Sequence, residues 1–147
     1  MPVLFERIDY QKLNGRQQET YNFQKLSAVL AEFGYLTIRL SDDWNGADFI
    51  AQHFKTKEFL KVQLKSRLTF DKKYHDKNLY ICFKDADQGD WYLYNHQELL
   101  EKVISQIEGT KTWKADKPYH YPTLTTDLKK LLQPYRIPIP ATLAVGS

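Results

Sequence analysis

Phe23, Leu26, Leu30 and Phe33 recur at the three- and four-residue spacing of one helix face. Asn14 stands before that run as an N-cap residue with Gln17 three positions on, and Gly34 follows its last member as a stop, so a helix is expected between them. The period then shortens to two. YLTIRL (35–40) and ADFIAQHF (47–54) flank Asn45-Gly46, the strongest short hairpin signal, and Lys55-Thr56-Lys57 turns the chain into EFLKVQLKS (58–66). A three-strand meander is predicted. In its third strand Leu60, Val62 and Leu64 point one way, while Lys61, Gln63 and Lys65 point the other.

Beyond the meander, RLTFDKKYHDKN (67–78) is polar and leads into LYICF (79–83), a near-continuous apolar run that reads as a buried strand. DADQGD (85–90) is a turn, and WYLY (91–94) a further strand. Asn95 opens a helix with Glu98 in capping-box position and Leu99, Leu100, Val103, Ile104 and Ile107 as its stripe, ended by Gly109. From Thr110 the chain is expected to be loop-like through TWKADKPYHYP. A short helix with Leu128, Leu131, Leu132 and Tyr135 apolar follows, stopped by Pro134, Pro138 and Pro140. Residues 1 to 12 read as an arm or a short lead-in helix, and ATLAVGS (141–147) as a disordered end.

With 147 residues, 42% of them hydrophobic and 14% aromatic, the chain is expected to form one domain with a real core. Its core spans about residues 14–108, with a C-terminal extension over 109–147. Cys82 is the single cysteine; it lies in the apolar run and reads as a buried, inert thiol. MPVLFERIDYQ carries charges too early for a secretory apolar region, and no run approaches transmembrane length, so a cytoplasmic protein without a membrane partner is expected.

Charge alters the picture by its placement, since the net value is only +3. Between Lys55 and Lys77, eight basic residues (among them Lys61, Arg67, Lys72 and Lys73) face only Glu58, Asp71 and Asp76, while Asp42, Asp43 and Asp48 cluster just before. A basic segment beside an acidic pocket suits phosphates drawn to a central cation, with Lys61, Arg67, Lys72 and Lys73 as nucleic-acid contacts; a solvated lysine-rich loop is the other reading. Asp48 begins the second strand, and Gln63 and Lys65 share one side of the third. Together they set oxygen ligands and an ammonium around one volume suited to a hard cation such as Mg²⁺ or Mn²⁺ and a phosphate. Glu19 extends the helix stripe toward its N-terminus and reads either as a first-turn acid favoured by the helix dipole or as a carboxylate facing Asp48. Trp44 in the hairpin turn is read as a loop anchor, with a nucleobase contact as the alternative. The aromatic and charged residues from Trp113 to Tyr121 either wrap the core or grip nucleic acid.

Asp48 followed by Gln63-Leu64-Lys65, after a helix with an inward glutamate, resembles the PD-(D/E)XK nuclease superfamily, over about residues 14 to 100. Ala47 stands where the motif's proline would be, and Gln63 replaces the second acid. The resemblance implies an α/β (α+β) restriction-endonuclease-like core: a helix, a three-strand meander, and further strands and flanking helices around one mixed sheet. It implies a helical crossover over residues 67–78 to a parallel strand; in twelve residues either a very short helix sits at Phe70 to Tyr74 or this join departs from the family pattern. It also implies a Mg²⁺- or Mn²⁺-dependent endonuclease, most naturally acting on DNA, with Asp48, Gln63, Lys65 and Glu19 catalytic, the metal held by Asp48, Gln63 and Glu19, and two copies acting as a dimer. Its alternative is a catalytically inactive relative that binds nucleic acid or a protein partner. The histidines lack metal-ligand spacing and no glycine-rich phosphate loop opens a helix, so zinc hydrolase and nucleotide triphosphatase readings lack support.

Overall fold

The Asn14 side chain accepts from the Gln17 N–H at 2.9 Å and the Gln17 side chain accepts from the Asn14 N–H at 2.9 Å, a complete capping box that starts helix α1 (Gly15–Ala31). This computed structural model describes residues 1–139; the ATLAVGS end lies outside the described residues. Leu26 and Leu30 are buried against the sheet, with Phe23 and Val29 packed beside them. Burying each leucine contributes about 1.5–3 kcal/mol. Gly34, at φ +83°, then turns the chain out of the helix, as its position in the sequence predicts.

Strands β1 (Tyr35–Trp44), β2 (Ala47–His53) and β3 (Phe59–Lys65) form the antiparallel meander. Asn45 and Gly46 both have positive φ, at 53° and 88°, which two-residue hairpin turns of this kind require. A Cβ on Gly46 would lie 3.1 Å from the Tyr74 ring, so close packing as well as conformation favours glycine there. Strands β4 (Thr69–Phe70), β5 (Leu79–Lys84) and β6 (Trp91–Asn95) follow. The main sheet is mixed, in the order β1-β2-β3-β5-β6, with β3 and β5 parallel and the other pairs antiparallel. The parallel pairing is the one the resemblance implies.

The crossover that makes this pairing contains no α-helix. It consists of β4, a single 3-10 turn at Lys72–Tyr74 and a short loop. Burial of Leu68, Phe70 and Tyr74 holds it against the core in place of a helix face. A second correction concerns the tail. The stretch expected to be a loop forms a short helix, α3 (Lys111–Lys114), and a strand, β7 (Tyr119–His120), which pairs with β4 in a separate two-stranded sheet. The strands therefore do not all join one sheet. Trp113 is buried and Tyr119 and Tyr121 pack against the core, so these aromatics wrap the core.

Two clusters flank the main sheet. One joins α1 to Phe49, Ala51, Val62 and Cys82, and the other joins helix α2 (His96–Ile107) to Ile81, Phe83, Tyr92 and Tyr94. Helix α4 (Thr126–Leu132) adds Leu128 and Leu132 to the second. Asn95 caps α2 by accepting from the Glu98 N–H, but the reciprocal half of the box is replaced: the Glu98 carboxylate accepts from the Tyr135 hydroxyl at 3.0 Å. Burial pushes the Cys82 thiol up, which keeps it inert. No helix among the described residues is long and apolar enough to cross a membrane.

Candidate active site

Asp48 sits where β2 loses its partners on both sides. Toward β3, the register ends at the Phe49–Val62 pair, although β3 itself continues against β5 as far as Lys65–Phe83. Toward β1, the register jumps from Arg39–Phe49 to Trp44–Ala47, so residues 40–43 bulge outward opposite Asp48 alone. The side chain takes over the missing strand contact: Asp48 Oδ2 accepts from the Leu64 N–H at 2.9 Å. The cleft walls strip water from Asp48 even though it is exposed at the surface, and this desolvation raises its carboxyl above the ordinary value; Glu19 adds to the rise, while Leu64 N–H, Lys65 and Arg39 oppose it.

On β3 the alternation read from the sequence holds, with Val62 buried among the α1 cluster and Gln63 and Lys65 half-buried on the other side. Burial lowers the pKa of Lys65, and the neighbouring Lys73 lowers it further, against Asp48 and Asp71. Its Nζ lies 5.8 Å from the centre of the Tyr74 ring. The Tyr74 hydroxyl is itself pushed up to about 12, by burial and then by Asp71, Asp48 and Asp43.

Glu19, Asp48, Gln63 and Lys65 all line one cleft of about 1030 Å³. Its lining carries five carboxylates (Glu19, Asp42, Asp43, Asp48 and Asp85) against three cations (Arg39, Lys65 and Lys84). That imbalance suits a divalent cation. Among the described residues no three His, Cys, Asp or Glu side chains group to hold a metal by themselves. Asp48, Glu19 and Gln63 share the cleft lining, and Glu19 is near enough to raise the Asp48 carboxyl; two carboxylates and an amide oxygen are the donor types a hard cation such as Mg²⁺ takes alongside water and phosphate, so their chemistry fits the ion.

The basic residues singled out in the sequence lie outside the cleft lining. Lys72 pairs with Asp116 at 2.6 Å and Lys73 with Asp71 at 3.8 Å. Lys61 donates to the Lys77 carbonyl at 2.6 Å, and Arg67 is exposed two residues beyond Lys65.

Arg39 is the cleft residue that sequence reasoning missed. It donates to Thr20 Oγ1 at 2.8 Å, lies over the Phe23 ring at 5.5 Å, and lowers the Asp48 carboxyl. The alternation of Tyr35, Thr37 and Arg39 puts it on the α1 side of β1, which was the available signal. The N-terminal 3-10 turn Tyr10–Lys12 also reaches the cleft, where the Tyr10 hydroxyl accepts from Asn22 at 2.9 Å and its carbonyl from Gln18 at 3.2 Å.

No family model matches the chain, and no curated protein matches it. Among solved structures it is similar to Hjc, a Holliday junction resolvase from the archaeal hyperthermophile Archaeoglobus fulgidus, at 16% identity and a TM-score of 0.40, covering 50% of this chain and 75% of that one.

Proposed function

We propose that this chain is a divalent-metal-dependent nuclease that hydrolyses phosphodiester bonds, in the first place an endonuclease acting on DNA. The observation that carries the reading is the lining of one cleft by Glu19, Asp48, Gln63 and Lys65, at the point where the ladders around Asp48 end. Neither Lys65 nor Asp48 has a packing task that demands its charge, and burial penalises both charges.

Mg²⁺, or Mn²⁺ in its place, would be held by Asp48, Gln63 and Glu19. When bound, it supplies Lewis-acid neutralisation of charge on the scissile phosphate. Lys65 orients the attacking water and donates to the phosphoryl oxygens as their charge grows. Leu64 N–H holds the Asp48 carboxylate in one orientation, so no reorganisation is needed during the reaction. Lys61, Arg67, Lys72 and Lys73 contact flanking phosphates, and two copies acting together would cut both strands of a duplex.

Plasmid nicking with Mg²⁺ or Mn²⁺ tests this reading against Asp48→Ala and Lys65→Ala. Each change is expected to lower cleavage by about 10²–10³-fold or more, with DNA affinity nearly retained and metal binding lost only with Asp48. Unchanged cleavage by both variants rejects the site. Gln63, which removes one negative charge from the ligand set, favours the second reading, a catalytically inactive module of the same fold. Binding without turnover of DNA or RNA in either metal would establish that reading instead.

A further inference from the structure

Strand β3 continues beyond the candidate site on the same face. By alternation Phe59 and Lys61 share the side of Gln63 and Lys65, away from α1. Helix α2 packs over β5 and β6 on that face, and Tyr74 of the crossover covers it beside Gly46 and Lys65; toward β1 and the start of β3 the face opens to solvent. Leu36 and Ile38 of β1 lie exposed on it, since Thr37 and Arg39 between them bond Ser27 and Thr20 of α1.

On this open face an aromatic pair joins the β1–β2 hairpin to the start of β3. The Trp44 and Phe59 rings are stacked, with centres 6.4 Å apart and planes 23° apart, and are 44% and 52% exposed. Lys61 Nζ lies 5.6 Å over the Trp44 ring and is anchored by the Lys77 carbonyl. An ammonium has three donors, so this anchor leaves it free to meet a phosphate. Lys61 stands at the pair, and Lys55 and Lys57 lie in the turn that leads into Phe59, with Glu58 as the acid of that turn; Asp42 and Asp43, which precede Trp44, line the cleft instead, where Asp43 Oδ1 accepts from the Gly46 N–H at 2.6 Å. Exposed aromatic faces set among lysines match the chemistry of unpaired bases on a phosphate backbone, where every base offers a π-face and each phosphate a charge. A protein partner would bury the same apolar residues but gains less from a rim in which three lysines meet only Glu58. The charge therefore favours nucleic acid.

We infer that Trp44, Phe59 and Lys61 form a stacking site for unpaired nucleotides. Resting on the nuclease reading, these belong to the strand whose phosphodiester reaches Asp48 and Lys65. Phe59 is four residues from Gln63, roughly 13 Å at about 3.3 Å per residue, a span of a few nucleotides.

The test is a fluorescence titration of the protein with a single-stranded oligothymidylate in the presence of EDTA. Of the three tryptophans, Trp91 and Trp113 are only 8% and 7% exposed, so quenching reports Trp44. The expected result is quenching that disappears in Trp44→Leu, affinity lowered about 5- to 150-fold in Phe59→Ala and nearly kept in Phe59→Tyr. Lys61→Ala should reduce the slope of log affinity against log salt by about 0.7. Absence of quenching, unchanged affinity in Phe59→Ala, or equal quenching by a duplex of the same sequence overturns the inference. So does a dimer, seen by sedimentation, that Phe59→Ala dissolves, because the face then belongs to a second copy. Because EDTA removes any need for cleavage, quenching without cleavage in either metal sinks the nuclease reading alone. Cleavage without quenching sinks the stacking site alone.

Discussion

Asp48 Oδ2 accepts the Leu64 N–H at 2.9 Å across two strands whose backbone register has already ended at Phe49–Val62. A side chain thus replaces a backbone carbonyl at the mouth of the cleft. The contact fixes one carboxylate oxygen and links the two sequence segments, Asp48 and Gln63-Leu64-Lys65, whose spacing suggested a site.

Asp48→Asn is expected to stabilise the fold at neutral pH while abolishing cleavage. Desolvation holds the Asp48 carboxyl above its ordinary 3.8, so ionisation costs the folded state more than the unfolded one. The stability associated with the protonated group is fully present below 3.8 and is lost as pH rises through the raised value. Asparagine can still accept from Leu64. Because the group is exposed on one side, screening limits the gain to a few degrees of melting temperature at most. Melts at pH 7 and pH 3 check this: a variant less stable than the parent at pH 7 refutes it.

Gln63→Glu adds a third carboxylate to the oxygen set. The Mg²⁺ or Mn²⁺ concentration that gives half-maximal thermal stabilisation should fall about tenfold. In EDTA the same variant should melt below the parent, because its new charge repels Asp48 and Glu19. Metal titrations followed by melting temperature read both signs, and equal metal responses of variant and parent would remove Gln63 from the ligand set.

Lys73→Ala should move the alkaline limb of the cleavage profile to higher pH. Burial and the Lys73 charge lower the Lys65 pKa from 10.5, and the reaction uses its ammonium, so activity falls as pH rises through that lowered value. Removing the like charge raises it again. A pH profile of kcat/KM measures the shift; an unmoved limb shows that Lys65 does not control it.

His96 should make the fold acid-sensitive. Its Nε2 accepts from the Asp71 N–H at 3.0 Å, which assigns the ring proton to Nδ1, and burial pushes its pKa down to about 4. The lowered value means its stabilising contribution is present above the ordinary 6.5 and is lost as pH falls through about 4. At about 1.4 kcal/mol per unit, that loss is roughly 3 kcal/mol. Urea midpoints at pH 7.5 and 4.5 should fall further for the parent than for His96→Gln. Equal falls would exclude His96 as the cause.

The elements read directly from the sequence are those built by local forces. The Asn14–Gln17 box, the positive φ of Asn45 and Gly46, and the side-to-side alternation of β3 each depend on neighbours within a few residues. What escaped reading depends on distant partners. Residues 40–43 bulge because β1 must re-register against β2, and nothing in Leu-Ser-Asp-Asp marks that by itself. The Glu98 carboxylate leaves its capping box for Tyr135, 37 residues away. Tyr119 and His120 become a strand only because β4 lies beside them.

Helix period, strand period, turn chemistry and the identity of the polar residues on one face of β3 were determined by the sequence alone, because side-chain direction follows from backbone geometry within a few residues. The tertiary structure decided which of those residues meet. It brought Glu19 from α1, Asp48 from β2 and Lys65 from β3 to one cleft, added Arg39 from β1, and left the basic residues 72 and 73 paired to Asp116 and Asp71 outside it. Such meetings depend on where strand pairing stops and on how a helix crosses a sheet, quantities set by the packing of the whole chain and by no short segment of it.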